Sequence, residues 1–121
     1  MTLHITHLDH IQLAAPEGCE QAARKFYSGI LCMKEIEKPD LLKRKGGCWF
    51  AFGSLQLHIG VETPFQPAAK AHPAFAATDL HELKKILENH GYPCTADDSI
   101  PGVQRFYTKD PFGNRLEFIG K

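Results

Sequence analysis

The chain has 121 residues, enough for one domain with a real core. Fourteen acidic residues balance fourteen basic ones, which gives no support to a nucleic-acid or membrane-surface role. No apolar run approaches the ~20 residues of a membrane span, no basic-then-apolar leader opens the sequence, and four scattered cysteines without a CxxC pair read as reduced thiols of a cytoplasmic protein.

Leu8 to Ala15 alternates as a strand does, with His10, Gln12 and Ala14 on one face and Ile11, Leu13 and Ala15 on the other. Pro16 and Gly18 break it. From about Glu17 to Ser28, Cys19, Ala22, Ala23 and Phe26 recur at helical spacing, and Gly29 is the expected stop. A short strand is expected from Cys32 to Lys38. A polar loop follows from Pro39 to Lys45, and its Lys43-Arg44-Lys45 cluster reads as solvated. Gly46-Gly47 opens a strand over Cys48 to Phe52, and Gly53-Ser54 turns it into another, Leu55 to Val61. In that strand Leu55, Leu57, Ile59 and Val61 form an apolar face, and Gln56, His58 and Gly60 the opposite one. A stretch without periodicity, about residues 63–70, reads as a linker between modules at about 6–62 and 71–120 of a single domain.

The order then repeats. His72 to Ala77 is the expected first strand of the second module, and Asp79 with Glu82 looks like a helix start. Leu80, Leu83, Ile86 and Leu87 give the apolar stripe and Gly91 the stop. Strands are expected at Tyr92 to Ala96 and Val103 to Thr108; in the latter Arg105 and Tyr107 share a face. Asp110-Pro111-Phe112-Gly113-Asn114 is a tight turn into a last strand. There Leu116 and Phe118 face one way, and Arg115, Glu117 and Ile119 the other.

This is a duplication of the form β-α-β-β-β, an α+β fold. It aligns polar residues. His10 to His58 spans 48 residues and His72 to Glu117 spans 45, and each pair joins the first strand of a module to its last. Glu117 interrupts an apolar run, so its charge needs a partner. Three imidazoles and one carboxylate suit Zn, Ni, Co, Fe or Mn, and suit Ca or Mg poorly. A lone strand histidine is more often an ordinary core or surface residue. His4, His7, His81 and His90 take that reading; the repeat lifts His10, His58, His72 and Glu117 out of it.

The Leu-Asp-His-Ile-Gln-Leu start, the Ala-Arg-Lys-Phe-Tyr helix, the Leu-His-Ile strand, the His72 strand and Asp-Pro-Phe-Gly-Asn-Arg-Leu-Glu-Phe together resemble the vicinal oxygen chelate superfamily. It includes glyoxalase I, bleomycin-resistance proteins, fosfomycin-resistance thiol transferases, methylmalonyl-CoA epimerase and extradiol dioxygenases. The resemblance implies two βαβββ modules whose curved mixed sheet forms a cup around one divalent metal. It places His10, His58, His72 and Glu117 on the ligand positions, although glyoxalase I usually has glutamate where His58 stands. The family chelates a small-molecule substrate through two neighbouring oxygens, and a glyoxalase-like reaction would make Glu117 the proton-carrying base. Tyr107 lies ten residues before Glu117, where the fosfomycin enzymes carry a functional tyrosine. Gln12, Trp49 and Arg105 are the candidate substrate contacts, Trp49 either walling the cup or simply packing.

The leading expectation is a metal-dependent lyase or isomerase resembling glyoxalase I, acting as a homodimer by family analogy. Two histidines and a glutamate also suit an Fe(II) extradiol-type dioxygenase. A fosfomycin-type thiol transferase is a third possibility, against which Gln12 stands where a threonine is common. A bleomycin-resistance-like protein that binds a drug without metal is the reading from another class.

Overall fold

The computed structural model describes residues 1–120, and in it the β-α-β-β-β order occurs twice. The chain divides into two compact units after Phe65, within the stretch read as linker, and each unit carries its own four-stranded sheet. Among the described residues no helix is long and apolar enough to cross a membrane.

The first unit contains β1 (His10–Ala15), α1 (Glu20–Ala23), a π-helical continuation (Arg24–Ile30), β2 (Lys34–Ile36), α2 (Asp40–Lys43), β3 (Cys48–Phe52) and β4 (Leu55–Val61). Its strand order is β1-β4-β3-β2, with β1 and β4 parallel and the other neighbours antiparallel. The second contains β5 (Ala74–Ala77), α3 (Leu80–Asn89), β6 (Thr95–Ala96), β7 (Arg105–Lys109) and β8 (Arg115–Gly120). Its order is β5-β8-β7-β6, with β5 and β8 parallel. In both units the first strand therefore lies beside the last.

Period-two alternation decides which strand face meets a helix. Leu57, Ile59, Phe50 and Ala15 are buried together with Phe26, Tyr27 and Ala23 of the first helix. The Tyr27 ring meets Phe26 edge-on at 4.9 Å and Phe50 at 5.7 Å. In the second unit Phe75, Phe106, Leu116 and Phe118 are buried with Leu87 of α3. Phe118 lies 5.6 Å from Phe75 and 5.4 Å from Phe106, ring centre to centre. Each such large side chain contributes roughly 1.5–3 kcal/mol of burial free energy.

The ends of α3 follow the sequence signals. Asp79 accepts a hydrogen bond from the Glu82 backbone N–H at 3.1 Å. Beyond the C-terminus Gly91 takes φ +87°, Gly91 N donates to Glu88 O and Tyr92 N donates to Leu87 O. That closes a Schellman motif.

Four expectations are corrected. Gly29 does not stop the first helix: Leu31 N donates to Phe26 O, an i→i+5 bond that carries the chain through Gly29. The left-handed residue is Cys32, with φ 62°. Pro39 to Lys45 is not all loop, because Asp40–Lys43 forms one helical turn tied by an ion pair of 2.9 Å. The strand expected from Tyr92 shrinks to Thr95–Ala96. His72 precedes β5 rather than lying in it, since Pro73 has no N–H for the ladder. The Pro73 carbonyl still accepts from Glu117 N at 3.0 Å.

Gly47 has φ +82°, and a Cβ added there would stand 2.0 Å from the Ile59 carbonyl oxygen. Gly53, at φ +53°, has nothing within 4 Å of the same construction. Gly47→Ala is expected to lose at least about 2 kcal/mol in urea unfolding and Gly53→Ala about 1 kcal/mol or less. Equal losses would show that the close approach at Gly47 does not constrain the fold.

Candidate functional site

The parallel pairs set one stagger in both units. Gln12 stands level with His58 across β1 and β4, which puts His10 two residues short of that level. Ala74 stands level with Glu117 across β5 and β8, which puts His72 two residues short in the same way. The third strand adds an aromatic residue at the same height in each unit: Trp49 level with His58, and Tyr107 level with Glu117. The four expected ligands therefore fall into two structurally equivalent pairs, His10 with His58 and His72 with Glu117.

In the first pair the His58 ring is sandwiched. His10 stacks on one face at 4.2 Å and 17°, and Trp49 stacks at 3.7 Å and 1°. His58 is only 5% exposed, and its Nε2 lies 2.9 Å from Gln56 Oε1. Burial first, and the neighbouring His10 second, push its pKa below the ordinary histidine value, favouring the neutral ring a metal requires. The more exposed His10 has Nδ1 2.9 Å from Asp9 Oδ1. Gln12, level with His58, turns its amide over Gly60, where a Cβ would lie 2.3 Å from the Gln12 nitrogen.

The second pair is a charged network. His72 Nδ1 lies 2.8 Å from the Lys70 carbonyl, and its Nε2 lies 2.9 Å from Glu117 Oε1. Glu117 is 6% exposed, and its Oε2 accepts from Arg105 Nη1 at 3.3 Å. Arg105 also donates to the Tyr107 hydroxyl at 2.9 Å, to Asp97 Oδ2 at 3.1 Å and to Ser99 Oγ at 3.0 Å. Tyr107 presents its ring edge-on to His72 at 5.3 Å, and the Arg115 guanidinium lies 4.1 Å over the same ring. Burial pushes the Glu117 carboxyl up, but hydrogen bonds from His72 and Arg105 outweigh it and leave the pKa below the ordinary value.

Glu117 has a second direct partner, Arg105, that the sequence alone does not reveal. Arg105, an expected substrate contact, is held by the Glu117 and Asp97 carboxylates. The signal was present in the alternation, since Arg105, Tyr107 and Glu117 share a sheet face. Only the register shows that Arg105 reaches diagonally to Glu117.

By donor type, imidazole and carboxylate suit a borderline divalent ion. Lys70 O and the Glu117 carboxylate are both acceptors, yet they meet the two nitrogens of one ring, and neutral imidazole has a single N–H. A proton or a metal ion resolves that conflict. Each of His10, His58 and His72 also has one ring nitrogen against an oxygen, from Asp9, Gln56 and Lys70 respectively. Such bonds orient metal-binding imidazoles. Among the described residues no three His, Cys, Asp or Glu side chains come together to hold an ion. Cysteine chemistry has little footing: the buried Cys48 thiol is pushed up to about 12, first by burial and then by Glu35.

A family model described as the Glyoxalase/Bleomycin resistance protein/Dioxygenase superfamily matches residues 7–118, and the chain belongs to this superfamily. A solved structure from Bacillus anthracis, assigned provisionally to the glyoxalase family, is 49% identical with a TM-score of 0.96, the match covering 100% of this chain and 99% of that one. Lactoylglutathione lyase from Agrobacterium tumefaciens shares the fold at 19% identity and TM-score 0.77, with 98% and 96% of the two chains covered. So does the fosfomycin resistance protein FosX from Listeria monocytogenes, at 20% identity and TM-score 0.71, with 97% and 92% covered. No match is found among curated proteins.

The depressed Glu117 pKa has a consequence for stability. Its charged form favours the fold, so the contribution is present above the ordinary value of 4.5 and is lost as pH falls through the lower folded value. In chelator-treated protein, wild type is expected to outlast Glu117→Gln in urea at neutral pH, with the gap closing on acidification. A gap that persists unchanged in acid would remove the ionised carboxylate as its cause.

Proposed function

We propose that this protein is a divalent-metal-dependent enzyme, a lyase or isomerase of the glyoxalase type, working on a small substrate chelated through adjacent oxygens. The observation that carries the reading is the His72 Nε2–Glu117 contact of 2.9 Å, with the other ring nitrogen held by a backbone carbonyl. The proposed ligands are His10, His58, His72 and Glu117, with Zn, Ni, Co, Mn or Fe as the ion and a homodimer as the working state. The bound ion supplies Lewis acidity to two neighbouring substrate oxygens.

The chain's own residues do the rest. Glu117 takes a proton from the carbon beside the chelated oxygens and returns it to the neighbouring carbon. Arg105 lowers the basicity of that carboxylate, so the Arg105 bond must loosen for proton transfer. Tyr107 and Arg105 position the carboxylate, while Trp49 and Gln12 form the substrate wall beside His58.

Arg105 favours a second reading. It already offsets the Glu117 charge, as a metal-free drug-binding protein of the bleomycin-resistance kind would require. Metal content separates the two. Protein purified without chelator and offered Zn, Ni, Mn or Fe(II) is expected to retain an ion; retention of none would sink the enzyme reading. His72→Ala and Glu117→Ala are expected to abolish most of that affinity, and Asp9→Ala or Gln56→Ala to lower it about 10- to 100-fold. Replacing His4 and His7 together is expected to leave it unchanged. A panel of hemithioacetals, catechols and epoxides then sorts lyase or isomerase action from dioxygenase and thiol-transfer chemistry.

For an active substrate, Arg105→Gln is expected to move the acidic limb of the rate profile to higher pH, since removing the cation raises the Glu117 pKa. An unmoved limb would show that Glu117 is not the titrating base.

A further inference from the structure

The second unit contains a cavity of about 570 Å³ whose walls include Tyr92, Thr95, Tyr107, Lys109 and Arg115. That size lies within the range of small-molecule sites. Lys109 and Arg115 stand directly opposite each other on the antiparallel β7–β8 pair, so their side chains leave the sheet on the same face. Like charges in that relation are destabilising. Among the described residues no carboxylate lies in ion-pair contact with either one, because Glu117 and Asp97 are taken by Arg105. The one acidic side chain in the cavity wall, Asp110, is turned to other donors. It accepts from Phe112 N at 2.9 Å, Asn114 N at 2.8 Å and Asn114 Nδ2 at 3.1 Å. The cavity wall thus sets two cations against one carboxylate and keeps a net positive charge.

Arg115 is also held in place. Its guanidinium lies over the Tyr107 ring, and its backbone N–H donates to Ala68 O at 3.1 Å. Tyr107 meets His72 edge-on and stands level with Glu117, so the cationic cavity adjoins the proposed reaction centre.

We propose that this cavity is a subsite for the oxyanion of a small molecule, a carboxylate or a phosphonate, and that the substrate of the neighbouring His72–Glu117 pair carries such a group. The assignment of substrate class rests on the function proposed above. The anion offsets the Lys109–Arg115 repulsion, Arg115 offers it a two-pronged donor, and Tyr107 sets its distance from Glu117.

The test uses the full chain without added metal, so that its outcome is independent of metal binding. Backbone amide NMR follows titration with methylphosphonate, with propionate and with neutral acetamide. The two anions are expected to give saturable shifts at Tyr107, Lys109 and Arg115, and acetamide none. The tighter anion identifies the substrate's charged group. Arg115→Gln is expected to weaken anion binding about tenfold, and the surface substitution Lys109→Gln several-fold. Lys109→Gln is also expected to raise the melting temperature of the ligand-free protein while reducing the rise produced by anion. The proposal is overturned if neither anion gives saturable shifts, if acetamide binds as well as they do, or if both substitutions leave affinity unchanged. Failure here with metal retained would remove the anionic substrate and leave the metal-dependent reading standing. Anion binding without metal retention would do the reverse.

Discussion

Parallel pairing of the first and last strands is the constraint on which the rest of each unit depends. Parallel strands cannot be joined by a tight turn, so a helix and two further strands must intervene. The helix covers one face of the sheet and leaves the other for polar side chains. The pairing also places residues far apart in sequence side by side. His10 and His58 meet in this way, as do His72 and Glu117, and the same two-residue stagger holds in both units. The different sequence spacings within the two pairs are absorbed by the connections.

On the second sheet this geometry builds a chain of alternating charge: Asp97, Arg105, Glu117, then the imidazole of His72 against the Lys70 carbonyl. A buried carboxylate stranded in such a place would be costly, and the two-sided bonding removes the cost. It also ties chemistry to stability. The bonds that keep Glu117 ionised are those that lower its basicity and fix its orientation.

Much of this was legible in the sequence, for identifiable reasons. Strands β3 and β4 begin and end where Gly46-Gly47 and Gly53-Ser54 require them to, because a close approach and a tight turn admit few other residues. The limits of α3 were legible because Asp79 and Gly91 have specific capping roles. The overrun past Gly29 was not, since an i→i+5 bond leaves no mark in a pattern read at ordinary helical spacing. Nor was the turn at Asp40–Lys43, which buries nothing and so has no apolar stripe. The two pairs were legible because the repeat exposed them. Their immediate partners were less so: Arg105 reaches Glu117 diagonally, and the Lys70 carbonyl carries no side-chain signature.

Equal stagger in two unlike sequences has a further consequence. Positions that the backbone makes equivalent have diverged in character: His58 against Glu117, Trp49 against Tyr107, and Gln56 against Arg115. One half has become aromatic, a stack of three rings. The other has become ionic, with its charges linked side chain to side chain. One backbone geometry thus occurs twice, carrying stacked rings in one unit and a network of paired charges in the other.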